Sequence, residues 1–104
     1  MDKKIYWHRE LPPLSEQIEG EHFLDAESDH VASRFADRDA AWWECHTTLM
    51  RRLENRLLQE IERQGGSCAH VLTETITTKT DDKTGHYFLK GVLAYILYRP
   101  ESTA

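Results

Sequence analysis

The chain has 104 residues, 13 Lys+Arg against 18 Asp+Glu for a net charge of −5, and a hydrophobic fraction of 39%. That length suits a single domain and leaves no room for a second core, while an aromatic fraction of 10% argues against a disordered chain. No run of about eighteen apolar residues is present, so no membrane-crossing helix is expected, and the acidic balance without a basic stripe argues against a nucleic-acid partner.

Residues 1–34 carry most of the acidic excess, whereas residues 67–104 balance to zero. The opening residues lack the continuous apolar stretch of a signal peptide. Two cysteines are too few for a disulfide scaffold and read as reduced thiols, which points to the cytoplasm. No membrane partner is expected.

Residues 1–20 read as an extended arm. Pro12-Pro13 removes backbone donors and pushes the preceding residue away from helix. Ile5, Tyr6 and Trp7 are too apolar for a free tail and are expected to dock on the core. Glu21 to Val31 reads as a first strand, with His22, Leu24, Ala26 and Ser28 on one face and Phe23, Asp25 and Glu27 on the other.

A long helix follows, from Asp37 as N-cap to Gln64, stopped by Gly65-Gly66. Trp42, His46, Leu49, Met50, Leu53, Leu57 and Ile61 fall in one stripe about 100° wide, with Trp43 at its edge. The opposite face carries Arg51, Arg52, Glu54, Asn55, Gln59 and Glu62 and reads as solvated.

Ala69 to Lys79 is rich in β-branched residues and reads as a strand. Asp81 to Gly85 forms a turn, and His86 to Tyr98 forms the last strand. Both faces of that last strand are apolar, which places it at the centre of the sheet with a cover on each side. The expected fold is therefore α+β: a single domain over 1–104, with a β-α-β-β core over 21–100. One helix lies on a three-stranded sheet of order 1-3-2, joined by a right-handed crossover. A helix of that span is about 42 Å long against about 33 Å for a ten-residue strand, so it should overhang at Trp42-Trp43. The face without a helix needs the arm or a second subunit to cover it.

Several side chains could carry chemistry. Cys45 and His46 are helix neighbours and point about 100° apart, so they cannot readily share an ion. Cys68 and His70 lie two apart on a strand and share a face, as two metal ligands or a thiol-redox pair would; spacing alone is weak evidence, and a buried Cys68 with a partly buried His70 in the sheet is the favoured reading. His46 sits mid-stripe facing the sheet, where Glu74 is the strand carboxylate that could meet it as a general-base pair or as a structural hydrogen bond. Cys45 flanks the stripe and reads as a core thiol, because no base or oxyanion site accompanies it. Gly65-Gly66 follows a helix instead of preceding one, so it is a cap and not a phosphate loop.

At Gly66-Ser67-Cys68-Ala69-His70-Val71 and Gly91-Val92-Leu93-Ala94 the chain resembles small bacterial YbjQ-like proteins. Their corresponding motifs are a Gly-Ala-Asp/Asn-Ala-Val turn after the helix and a Gly-Thr-Ala strand near the end. Here the first motif has an extra residue and the second lacks the Thr. The resemblance implies a β-α-β-β fold, ring oligomers and a heavy-metal label. The whole chain is also similar to bacterial proteins of this size without an assigned activity.

These observations lead to the expectation of a homo-oligomeric binding or structural module without catalysis, self-associating through its open sheet face. No cofactor or small-molecule ligand is indicated. The alternatives are a transition-metal or thiol-redox protein using Cys68 and His70, and a small enzyme using His46 and Glu74.

Overall fold

The computed structural model describes residues 4–12, 15–31 and 38–100. The chain folds as α+β, with one helix on a mixed sheet. Its elements in chain order are β1 (Ile5–Trp7), β2 (Gln17–Glu27), α1 (Arg38–Arg63), β3 (Cys68–Thr80) and β4 (Tyr87–Tyr98). The sheet has four strands instead of three, in the order β1-β3-β4-β2; the three expected strands, β2, β3 and β4, keep the expected order 1-3-2 with β4 between the other two. The added strand is Ile5–Trp7, which pairs parallel to Ala69–Val71 at the edge of β3. The apolar triplet of the expected arm thus docks by backbone pairing. β4 lies between β2 and β3 and is antiparallel to both, which accounts for its two apolar faces.

The other boundaries shift for local reasons. The strand expected at Glu21–Val31 starts earlier and ends at Glu27, because an irregularity between Ile18 and His22, with Gly20 at φ 72, breaks the alternation. At its far end the Ser28 hydroxyl accepts the Leu89 N–H at 2.9 Å, and Val31 reaches β4 only through an isolated bridge to Tyr87. The expected cap Asp37 lies outside the described residues. The helix terminates at Gly65, φ 72, whose N–H donates to the Glu62 carbonyl while Gly66 N–H donates to that of Ile61. These two bonds satisfy carbonyls that the last turn would leave orphaned. In the β3–β4 turn, Asp81 Oδ1 accepts the N–H groups of Lys83 and Thr84 at 2.8 and 3.3 Å, and Gly85 sits at φ 71.

Residues directly opposite in the ladder share a face, so the registers assign each side of the sheet. The helix side carries Leu89, Gly91, Leu93, Tyr95 and Leu97 of β4, with Ala69, Val71, Glu74 and Ile76 of β3 and Leu24 and Ala26 of β2. A bulge between Val71 and Thr73 switches the alternation of β3 and keeps Glu74 and Ile76 on this side. Against it α1 sets Cys45, Leu49, Leu53, Leu57 and Ile61, all buried, in one row of i, i+4 spacing. The expected stripe is therefore rotated: Cys45 is in the core, and His46 is half-buried at its margin.

Leu49 and Leu53 rest on Gly91, where an added Cβ would press on their methyl groups. With 26 residues in α1 and 12 in β4, helix and central strand are both about 40 Å long. The long overhang expected at Trp42-Trp43 does not arise. Trp42 packs on the core, and Trp43 turns outward with 62% of its surface exposed. No described helix is long and apolar enough to cross a membrane.

Candidate functional site

His46 stacks on Trp42, with ring centroids 4.7 Å apart and planes 14° from parallel, and meets Trp43 edge-on at 5.8 Å. These contacts follow from helical spacing: residues four apart lie above one another, and Trp43 is the i−3 neighbour. Glu74 stands opposite Leu93 on β3. The two do not meet. Gly91, under Leu49 and Leu53, lies between their levels, and the rises per residue of helix and strand separate them by more than about 10 Å. His46 therefore belongs to an aromatic cluster near the start of α1, without an acid partner among the described residues.

Cys68 and His70 do share a face, the one away from the helix, opposite Tyr98 and Ile96. Each is already in contact with its surroundings. Cys68 is 2% exposed. Burial pushes its thiol above the usual value, opposed by a hydrogen bond from the Ser67 side chain, so it stays protonated and unreactive at neutral pH. His70 Nε2 lies 2.6 Å from the His8 carbonyl. A carbonyl only accepts, so that nitrogen carries the proton. Among the described residues no group of three or more His, Cys, Asp and Glu side chains could hold a metal ion. Cys45 is likewise committed, its thiol donating to the Asp29 carbonyl at 3.6 Å.

The face away from the helix is partly covered by the chain itself. His30 stacks on Phe88 at 4.1 Å near one end, and His8 meets His70 near the other. Between them lie Thr73, Thr75 and Thr77 of β3, Lys90, Val92 and Ala94 of β4, and Phe23 and Asp25 of β2. Phe23 is 67% exposed and Val92 37%, and Lys90 reaches Asp25 at 3.9 Å. No described segment covers this strip, which is polar except at the exposed Phe23 and Val92 and the buried Ala94.

A shallow groove of about 420 Å³ runs between β2 and the second half of α1, lined by Phe23, Leu24, Asp25, Arg56, Gln59, Glu60 and Arg63. Its charges are already engaged. Arg63 pairs with Glu60 at 2.6 Å and holds that carboxyl below its usual range, burial opposing. Arg56 donates to the Asp25 carbonyl, and one turn earlier Arg52 donates to the Glu27 carbonyl at 2.8 Å and pairs with Asp29. On the core side of the same edge, His22 stacks on Tyr95 at 5.6 Å, and burial raises the Tyr95 phenol. The sequence places Arg52 on a solvated face, and Arg56 follows it one turn later. Their i, i+4 spacing was visible, but nothing in the sequence places a strand edge beneath them.

No family model, curated protein or solved structure matches this chain.

Proposed function

We propose that this chain is a homo-oligomeric binding or structural module without catalysis, and that copies associate through the open face of the sheet. The observation that carries this reading is the strip around Phe23 and Val92, exposed on a sheet whose single helix lies on the other side. Water-exposed apolar strand surface is stabilised by burial at about 25 cal/mol per Å². A second sheet packed about 10 Å away supplies that burial. Lys90 and Asp25 on the same strip give a partner both signs of charge to match. The YbjQ-like resemblance, which implies a self-associating β-α-β-β protein, agrees with the same reading.

The burial of Cys68 and Cys45 favours this module over the thiol-redox alternative, the lack of a third neighbouring ligand among the described residues favours it over the metal alternative, and the separation of His46 from Glu74 favours it over the enzyme. The test is the solution mass of the wild type and of Phe23→Thr/Val92→Thr, a change that keeps strand propensity while removing apolar surface. The wild type is expected at a multiple of 12.2 kDa and the double variant at a lower multiple. Equal masses for the two would count against the open face.

A further inference from the structure

The two edges of the sheet are not equivalent. At β2 the Ser28 N–H bonds to the Leu89 carbonyl, so along this strand Ala26 and Leu24 face β4 while Asp25 and Glu27 direct their backbone outward. Those outward carbonyls are the ones that Arg56 and Arg52 cover. Further back, the irregularity between Ile18 and His22 breaks the edge. A strand approaching β2 would have to displace two guanidinium groups.

β3 is different. It has 13 residues, paired with β4 along its inner side but with β1 only from Ala69 to Val71. The chain turns away from this edge at His8, φ 48. The Asp81 N–H bonds inward to the His86 carbonyl, so Lys79, Thr77, Thr75 and Thr73 face β4. Thr80, Thr78, Ile76 and Glu74 therefore point their N–H and C=O groups outward. Among the described residues no strand meets them. Unpaired groups in such a row are a template for another strand.

We propose that this edge takes a second copy of the same edge, in antiparallel pairing about a two-fold axis at Thr77. Three features select that occupant. First, the arginine-capped β2 edge cannot complete the β3 edge of another copy, so head-to-tail growth is blocked and the two-fold arrangement closes. Second, the Thr77 register uses every outward group from Glu74 to Thr80, setting Glu74 against the partner's Thr80 and Ile76 against the partner's Thr78. Third, the other face pairs Thr77 with the partner's Thr77 and Thr75 with the partner's Lys79. No like charges oppose one another, and the Thr–Thr and β-branched pairs are those that favour antiparallel strands. This edge is distinct from the open face and stands whether or not copies also pack through that face.

The deciding measurement is residue-resolved amide exchange on the wild-type protein at low and high concentration. Thr75, Thr77 and Lys79 amides are bonded to β4 and should be protected at both. Those of Glu74, Ile76, Thr78 and Thr80 should exchange rapidly when dilute and slow by about tenfold or more when concentrated. Rapid exchange of these four at every concentration overturns the proposal.

Two variants test the geometry. Thr78→Pro removes an outward N–H and leaves the β4 ladder intact; the solution mass should halve, and an unchanged mass counts against the edge. Thr77→Cys places two thiols across the axis, within the separation a disulfide spans. It should form a covalent dimer on mild oxidation much faster than Asp82→Cys in the exposed turn, and equal rates would sink the register.

Discussion

A Cβ built on Gly91 would stand 3.0 Å from Leu53 Cδ1 and 3.1 Å from Leu49 Cδ2. This glycine is what lets α1 settle onto the central strand, and its role is packing, since it is not among the glycines of positive φ. Gly91→Ala should gain about 0.5–1 kcal/mol from a better strand residue but lose about 1–3 kcal/mol to overpacking. The net expectation is a modest destabilisation, larger for Gly91→Val. Urea midpoints of the three proteins check it, and a more stable Gly91→Val would show that the helix can lift away freely.

Ser28 is buried, and its hydroxyl takes the place of a backbone carbonyl by accepting the Leu89 N–H at 2.9 Å while donating to the Asp29 carbonyl at 3.0 Å. Ser28→Ala should leave that N–H without a partner and cost about 1–3 kcal/mol. Ser28→Thr retains the oxygen and should recover most of the loss. The Leu89 amide, followed by exchange, should lose its protection in the alanine variant alone.

How much of this was legible beforehand depended on the kind of signal. β4 could be read because a strand apolar on both faces has few places to sit, and the end of α1 because Gly65-Gly66 supplies the geometry that its last carbonyls need. β1 was legible only as an apolar triplet, since three residues show no periodicity. The bulge between Val71 and Thr73 has no sequence signature, although it decides which β3 side chains face the helix. His46 was misplaced for a related reason, whereas Cys45 is the core thiol that its position beside the stripe suggests. A stripe about 100° wide fixes the buried face only to within one residue's rotation, and the row through Leu49, Leu53, Leu57 and Ile61 runs back to Cys45.

Asp81 carries the acid sensitivity of the β3–β4 turn. Backbone hydrogen bonds from Lys83 and Thr84 hold its carboxyl below the usual range, with the neighbouring His30 and His86 adding to the effect. A carboxyl depressed in the folded state stabilises it at pH above the unfolded carboxylate range; that contribution falls as pH drops through the folded value. Asp81→Asn keeps an acceptor for both N–H groups but does not titrate. Its unfolding midpoint should therefore fall less than that of the wild type between about pH 5 and about pH 2. Parallel curves would assign the acid sensitivity elsewhere.

Both thiols should be slow to react in the folded protein. Cys45 and Cys68 are buried, and burial pushes the Cys68 thiol up, so a disulfide reagent at neutral pH should label neither until denaturant is added. Rapid modification of one thiol in the native state would revive a redox role. The Cys68→Ala variant would then show which thiol carried it.

The arginine caps on β2 lead to the most demanding expectation. Arg52 and Arg56 occupy the carbonyls of Glu27 and Asp25, and both side chains are exposed, so removing them should cost little folding stability. Arg52→Ala/Arg56→Ala opens β2, which then competes with the partner's β3 for the β3 edge beyond Val71. β2 of one copy can then pair with β3 of the next, a head-to-tail contact that does not close and grows into filaments. Light scattering of the double variant should rise steadily with time and concentration where the wild type stays constant. Adding Thr78→Pro should suppress the growth, because it removes a donor from the β3 edge without touching β2. A double variant that keeps the wild-type size would mean that the arginines do not guard the edge, and the case for closed pairing at Thr77 would lose its first support.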